Sequence, residues 1–316
     1  MDENDLKILE ILDEDSRTPY DFIGKKVNLT GNAVRTRVIR MIEDGVIDDF
    51  IFKIHPSVFE VDNCYVYFQY PQSASIAAVI SKKLGDDPHY CEIISGYDPS
   101  YAGSDGSVIV YVMGQGEEDL HKQVDKLKRK INDVDDFLVI KRYTPPIEKV
   151  KINNSLLKVI HVLIQDVRTS VANLARDCKM TSKSVKYYLD QITRYKIGRF
   201  SINTQPNKIS QRIFINMYIS KENVDYIRFE QLFDSILKKI KSVIFNNQLL
   251  VDPPGVYCEI TTESLEEIDQ IEHTIRSFME DNYTFKKMFP SKIIYRKNLI
   301  EKIVQDRIEA LEKMTD

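Results

Sequence analysis

The sequence has no run of 18 apolar residues, and it opens on the acidic, polar stretch Met1-Asp2-Glu3-Asn4-Asp5. Neither a membrane span nor a secretory signal is expected, since a span needs about 20 apolar residues and a signal a basic start before an apolar stretch. Cysteine is scarce: Cys64, Cys91, Cys178 and Cys258 lie far apart, with no Cys-x-x-Cys pair. That spacing argues against a disulfide frame or a zinc site. It points to reduced, mostly buried thiols and a cytoplasmic location. His55, His89, His121, His161 and His273 stand singly, without Glu-x-x-His or Cys-x-x-Cys company, so no metal or other cofactor is expected. Gly-x-Ser-x-Gly and phosphate-loop patterns are missing, and Ser, His and Asp are too scattered to infer a triad, so no catalytic residue is assigned. A net charge of −4 argues against a chain that coats nucleic acid indiscriminately. A local patch can still make a specific contact, because the patch and not the total sets it.

What the chain does have is length and repetition. Its 316 residues, 43% of them hydrophobic, suffice for two to four small domains with cores of their own. A stretch near the start returns 151 positions later without a gap. Leu6, Leu9 and Leu12 match Leu157, Ile160 and Leu163, and Asp15, Arg17 and Thr18 match Asp166, Arg168 and Thr169. The frame holds through Leu29 with Met180, Thr30 with Thr181, Val34 with Val185 and Val38 with Leu189. Two segments that keep one frame over this distance are expected to share a fold.

Each copy reads as helix, helix, turn, helix. In the first, Asp2 can cap a helix with apolar Leu6, Leu9, Ile11 and Leu12; Pro19 opens a second helix; and Thr30 can cap a third that stops at Gly45. Residues 46–54 mix β-branched and aromatic side chains as a strand pair would, the expected wing. A second kind of unit follows each copy, with the order strand, helix, strand, strand, helix, strand of a ferredoxin-like sandwich. The expected class is therefore α+β, with two winged helix-turn-helix domains and two ferredoxin-like βαββαβ domains in tandem. Their expected bounds are 1–55, 56–146, 147–208 and 209–296. A C-terminal helix over 297–316 carries the stripe Ile300, Val304, Ile308 and Leu311, suited to self-association or to folding back.

The pattern Asp2-x-x-Asp5-x-x-Ile8-Leu9, Asp15-x-Arg17, Leu29-Thr30-x-x-x-Val34-x-x-Arg37-Val38, Gly45-Val46-Ile47 resembles the leucine-responsive regulatory protein/AsnC (feast/famine) family of transcription regulators. The βαββαβ unit with Ser95-Gly96-Tyr97-Asp98 looks like that family's sensing and assembly domain. The resemblance covers roughly residues 2–143 and, more loosely, 153–295. It implies double-stranded DNA as partner, assembly through that domain, and small-molecule sensing in which Gly96, Tyr97 and Asp98 are the effector candidates. Family members usually carry one such pair of domains per chain and this sequence carries two, so the two ferredoxin-like sheets are expected to pair either within one chain as a pseudo-twofold or between chains as a homo-oligomer. The stretch from Asp98 to Gly106 could line an effector pocket, though such a stretch is more often a polar connection between strands. The second copy departs from the pattern, with Lys196-Ile197-Gly198 in place of Gly45-Val46-Ile47 and Val251-Asp252-Pro253-Pro254 where a glycine-rich sensing loop is expected.

The residues of the third helix point the same way. Val34, Val38, Met41 and Ile42 are expected to pack inward, leaving Asn32, Thr36, Ile39 and Arg40 outward with Arg35 and Arg37 beside them. Amides and guanidinium groups suit base edges, and cations suit phosphates. From Arg17 to Arg40 six cations (Arg17, Lys25, Lys26, Arg35, Arg37, Arg40) face the single acid Asp21. Arg37 suits either an ion pair with a first-helix acid or a phosphate contact. In the second copy Lys183, Tyr187, Gln191 and Arg194 are expected outward with Lys186 on the flank. From Lys179 to Arg199 the balance is again six cations against one acid, Asp190. That copy either reads DNA too or is retained for packing, with Tyr187 and Tyr188 buried. The DNA-binding candidates are thus Thr30, Asn32, Arg35, Thr36, Arg37, Arg40, Lys183, Lys186, Tyr187, Gln191 and Arg194. The alternative is an enzyme like the siroheme decarboxylases, which resemble this family and work as paired related subunits.

Overall fold

The computed structural model describes residues 1–70, 76–99, 106–134, 136–142, 144, 147–209, 213–221, 231–232, 235, 243–252, 254–279 and 282–314. The first half runs α1 (Glu3–Glu14), α2 (Tyr20–Val27), α3 (Gly31–Glu43), β1 (Ile47–Ile54), β2 (Val61–Tyr70), α4 (Ile76–Leu84), β3 (Tyr90–Tyr97), β4 (Gly106–Gln115), α5 (Glu117–Lys130) and β5 (Phe137–Arg142). The second runs α6 (Asn154–Gln165), α7 (Val171–Asp177), α8 (Ser182–Arg194), β6 (Gly198–Thr204), β7 (Ile213–Ser220), β8 (Val243–Asp252), β9 (Pro254–Thr262), α9 (Leu265–Met279), β10 (Thr284–Tyr295) and α10 (Leu299–Lys313). The helix expected over residues 224–241 lies almost wholly outside the described residues, as do residues 100–105 of the candidate effector loop and Pro145-Pro146 at the join. The elements gather into two compact units, each drawing on both halves: Met1–Asp62 with Thr144–Lys208 and Lys297–Asp316, and Asn63–Tyr143 with Ile209–Arg296.

The first unit holds both helix-turn-helix copies. Asp2 and Asp5 cap α1 reciprocally: Asp5 N–H donates to Asp2 at 2.9 Å and Asp2 N–H to Asp5 at 3.0 Å. This satisfies two amides that a helix start leaves unpaired. Thr30 accepts from Ala33 N–H and Thr181 from Ser184 N–H, each at 3.1 Å, so the two third helices begin alike. They also end alike. Gly45 (φ 71°) and its equivalent Lys196 (φ 52°) both turn the chain in the left-handed region, which costs glycine little and lysine more.

The wing differs from expectation. Residues 47–54 form one strand, not a pair, and β1 finds its partner in β6 of the other copy. Phe50 lies opposite Ile202, and Ile51 opposite Ser201. Exchanging the copies by 151 positions turns the first of these pairs into the second, so the register carries a pseudo-twofold between Phe50 and Ile51. Phe52 stacks on Phe200 with centroids 5.1 Å apart. A single strand with one apolar face must bury it and pair its backbone somewhere, and the repeat supplies a matching edge. The C-terminal helix folds back within this unit. Leu299, Ile300, Val304 and Ile308 are buried as α10 lies on α6 and on the 3-10 turn Pro56–Phe59, where the Arg307 guanidinium sits 5.0 Å from the Phe59 ring.

In the second unit the strands close into a barrel of order β10-β3-β4-β2-β5-β8-β9-β7. Each half contributes a ferredoxin-like sheet, β3-β4-β2-β5 and β8-β9-β7-β10. The two join at both edges, β10 to β3 (Ile293 opposite Ile94) and β5 to β8 (Arg142 opposite Leu250). Closure removes the exposed edges that isolated sheets must protect. Alternate residues face outward under helices: Val66, Phe68, Ile93 and Val110 pack with Ile80, Leu84, Val124 and Leu127 in one half. Ile215, Met217, Val256 and Cys258 pack with Ile268, Ile271 and Ile275 in the other. The intervening positions face inward and are rich in tyrosine. Tyr65 lies 5.1 Å from Tyr111 and 4.7 Å from Tyr257, and the Arg142 guanidinium, 5.4 and 5.2 Å from the Tyr65 and Tyr111 rings, donates to Tyr111 Oη at 2.8 Å. All four cysteines are buried and none is in a disulfide. Burial pushes the Cys64 thiol up to about 12, so it is an inert packing group.

Candidate nucleic-acid interface

On α3 the spacing of Val34, Val38 and Met41 sets the buried stripe, all at or below 1% exposure. Ile42, expected inward, is 43% exposed. It lies one position past Met41, about 100° further round a helix of 3.6 residues per turn, and so falls on the rim. Asn32, Arg35, Thr36 and Ile39 are exposed, with Thr36 Oγ1 donating to the Asn32 carbonyl at 3.1 Å. Thr30 is exposed and serves as the cap.

The two remaining arginines of α3 are held. Arg37 Nη1 bonds both Asp2 oxygens, at 2.8 and 2.9 Å, and Asp5 Oδ1 at 2.8 Å; Arg40 Nη2 bonds Asp5 Oδ2 at 2.8 Å. The Asp5 side chain is 1% exposed, so two guanidinium groups neutralise a buried carboxylate. Hydrogen bonding to Asp5, then to Asp2, holds the Arg37 pKa above its ordinary value. Arg37 is therefore an ion-pair residue, and Arg40, half-exposed, shares its charge with α1.

Arg17, counted among the cations of the DNA-binding face, points elsewhere. Its guanidinium donates to the carbonyls of Val167 and Thr169 in the second copy, and Arg168, its equivalent, donates back to the Ser16 carbonyl. Burial pulls the Arg17 pKa down, which adjacent Asp15 only partly offsets. Arg168 also sits 4.5 Å from the Tyr20 ring and 5.1 Å from Phe50. The repeated Asp-x-Arg-Thr is a reciprocal clasp between the copies. Sequence reasoning missed it, although finding the same motif in both copies was the signal.

On α8, Lys183, Lys186 and Arg194 are exposed and Tyr187 is 57% exposed. Gln191 Nε2 donates to Tyr187 Oη at 2.7 Å, and Tyr188 meets the Tyr187 ring edge-on at 5.4 Å. Tyr187 is thus presented to solvent rather than buried against a neighbour. Among the described residues Arg35, Lys183 and Lys186 have no acidic partner. The equivalents of Asp5 and Arg37 are Leu156 and Tyr188, so the α1–α3 charge network has no counterpart here. Instead an open hollow of about 500 Å³ lies between the start of α6, the end of α7 and α8.

The effector candidates separate. Gly96 lies in β3 opposite Pro290, where a Cβ would stand 2.3 Å from the Phe289 carbonyl oxygen. Tyr97 is 55% exposed, whereas Asp98 is buried and accepts from Tyr67 Oη at 2.8 Å. That phenol also meets Ser107 Oγ at 3.2 Å and accepts from Gln69 Nε2. Asp98 thus anchors a polar network inside the unit. A cavity of about 20 Å³, lined by Tyr67, Ile140, Asn216 and Met288 among others, is water-sized. It is far below the roughly 300–1,000 Å³ of small-molecule sites. Among the described residues no group of three His, Cys, Asp or Glu is placed to hold a metal, and no helix is long and apolar enough to cross a membrane.

Residues 1–48 match the family model for winged helix-turn-helix DNA-binding domains. The HTH-type transcriptional regulator LysM of Saccharolobus solfataricus is 30% identical over 131 residues, 40% of this chain and 84% of LysM. The chain belongs to the Lrp/AsnC family. As a member of that family it also matches the HTH-type transcriptional regulator LrpA of Pyrococcus horikoshii, 45% identical over 56 residues. That match covers 18% of this chain and only 40% of LrpA. Over the whole length, the crystal structure of the siroheme decarboxylase NirDL superposes with a TM-score of 0.59 at 13% identity, covering 98% of this chain and 100% of that one. At that identity the likeness is one of fold.

Proposed function

We propose that the chain is a sequence-specific regulator that binds double-stranded DNA with both α3 and α8. The observation that carries this reading is the pair of threonine-capped third helices, each presenting polar and cationic side chains to solvent from one pseudo-symmetric unit. Asn32, Arg35 and Thr36 on α3, and Lys183, Lys186, Tyr187 and Gln191 on α8, supply the amide, cation and hydroxyl groups that base edges and phosphates accept. Thr30 orients α3. Arg40 and Arg194 add charge, and Arg37 acts through the position of α3 against α1. The Lrp/AsnC relatives named as transcriptional regulators support the same reading.

Decarboxylase chemistry has weaker support. The NirDL likeness is one of fold, and His89, in the barrel unit, is engaged with Asp87 at 2.6 Å and near Asp119 at 3.6 Å.

Fluorescence anisotropy with duplex DNA from the gene's own upstream region tests the proposal. Wild type is expected to bind with affinity that falls steeply with salt. Arg35→Ala combined with Lys183→Ala and Lys186→Ala is expected to weaken binding by at least about tenfold, as loss of several charge contacts requires. Unchanged affinity in that variant, or no binding at low salt, overturns the assigned faces. A change in the visible spectrum of added siroheme would instead favour the enzyme.

A further inference from the structure

The two third helices hold equivalent places in the pseudo-twofold unit and carry unlike chemistry. Where α3 has Thr36 and Ile39, α8 has Tyr187 and Asp190; where α3 has Asn32 and Arg35, α8 has Lys183 and Lys186. All eight are exposed. The backbone frame around them is the same: threonine caps with 3.1 Å bonds, the β1–β6 register that maps onto itself, and arginine bonds exchanged between Arg17 and Arg168. The backbone frame is thus shared, while the outer faces of the two third helices differ.

Each set of side chains suits a different base pair. An asparagine amide pairs with the N6 and N7 edge of adenine, and the methyl groups of Thr36 and Ile39 suit the thymine C5 methyl. On α8 Lys183, at the position of Asn32, suits guanine O6 and N7, while Lys186, like its equivalent Arg35, serves a phosphate; the Asp190 carboxylate accepts from the cytosine amino group while repelling phosphates that approach in another register. Gln191, by bonding Tyr187 Oη at 2.7 Å, fixes the aromatic ring in its outward position.

We infer that this chain recognises a composite, non-palindromic duplex: an A·T-rich half-site under α3 and, in inverted orientation, a half-site containing G·C pairs under α8. The inference rests on the DNA-binding reading above and names its target. A homodimer of two identical modules favours a palindrome. A fused pair whose reading residues have diverged favours a site with two unlike halves.

The test is selection of duplexes from a randomised library by the full chain, followed by anisotropy on the enriched site and on the two palindromes made from its halves. The composite is expected to be enriched, with each palindrome bound at least about tenfold more weakly, since each mismatched base pair adds its own loss. A variant carrying Lys183→Asn, Lys186→Arg, Tyr187→Thr and Asp190→Ile, all at exposed positions, gives α8 the outer residues of α3. It is expected to shift preference to the A·T-rich palindrome. Enrichment of a palindrome by wild type, or an unmoved preference in the grafted variant, overturns the asymmetry and leaves the DNA-binding reading standing. Failure to enrich any sequence overturns both.

Discussion

Arg35 and Arg37 lie two residues apart on α3, and their structural positions predict opposite consequences of removal. Arg37→Ala takes three hydrogen bonds from Asp2 and Asp5. The Asp2 part is worth little, because that side chain is 55% exposed and exposed pairs contribute about 0.2–1 kcal/mol. The Asp5 part is worth more, because its side chain is 1% exposed and breaking a buried pair costs about 3–5 kcal/mol. Arg40 still bonds Asp5 at 2.8 Å and keeps part of that stabilisation, which brings the expected loss below this range, to about 2–3 kcal/mol. Arg35 has no acidic partner among the described residues, so Arg35→Ala should change stability by less than about 0.5 kcal/mol. Its effect should appear in DNA binding instead, as a drop of about 0.9 in the slope of log affinity against log salt if it meets one phosphate. Urea denaturation and anisotropy titrations across a salt series measure the two quantities on the same preparations. The reasoning fails if Arg37→Ala unfolds at the wild-type urea concentration while lowering the salt slope, for then Arg37 would be the phosphate contact.

Three further outcomes follow from contacts elsewhere. Arg168→Ala loses a charge-assisted bond to the Ser16 carbonyl, worth about 1.5–3 kcal/mol, and two ring contacts of about 0.5–1 kcal/mol each. With relaxation it should cost about 2–3 kcal/mol in urea denaturation; a wild-type midpoint would show that the clasp is idle. Gly96→Ala sets a Cβ 2.3 Å from the Phe289 carbonyl oxygen and should lower the thermal midpoint through a loss of about 1–3 kcal/mol as β3 and β10 move apart. Asp87 is pushed up by partial burial, but bonds from Lys126 and His89 outweigh this and hold its carboxyl at about 2, below the roughly 3.9 of an unfolded chain. Its stabilisation is thus complete above about pH 4 and fades as pH falls toward 2, and Asp87→Asn should flatten that acid limb in a pH series of urea unfolding curves.

Much of the architecture is local and could be read from spacing. Thr30 and Thr181 cap their helices because a hydroxyl three residues before a free amide does so in any context. The 151-residue frame showed that the copies share a fold, and the family pattern around Asp2, Asp15 and Gly45 led to the right relatives. Partners distant in sequence were not legible. Nothing in residues 47–54 says that their edge is taken by 198–204 instead of by a hairpin, since β pairing is fixed by the assembled unit. Charge counting failed for a related reason. A cation adds to a surface patch only when nothing nearer holds it, and Arg17 and Arg37 are claimed by carbonyls and carboxylates that only the fold brings close. Asp98 illustrates the converse, a polar loop residue read as a ligand candidate that the fold turns inward to Tyr67.

The pairing of β1 with β6 has a kinetic and thermodynamic meaning as well as a geometric one. Because both strands belong to one polypeptide, their meeting is first order, and its equilibrium does not change on dilution. A regulator built from separate identical chains loses its paired form when scarce, so its occupancy on DNA rises with more than the first power of concentration. If α3 and α8 both bind DNA as proposed, a single molecule arrives with the two helices already joined, and their pairing adds no concentration dependence of its own to binding.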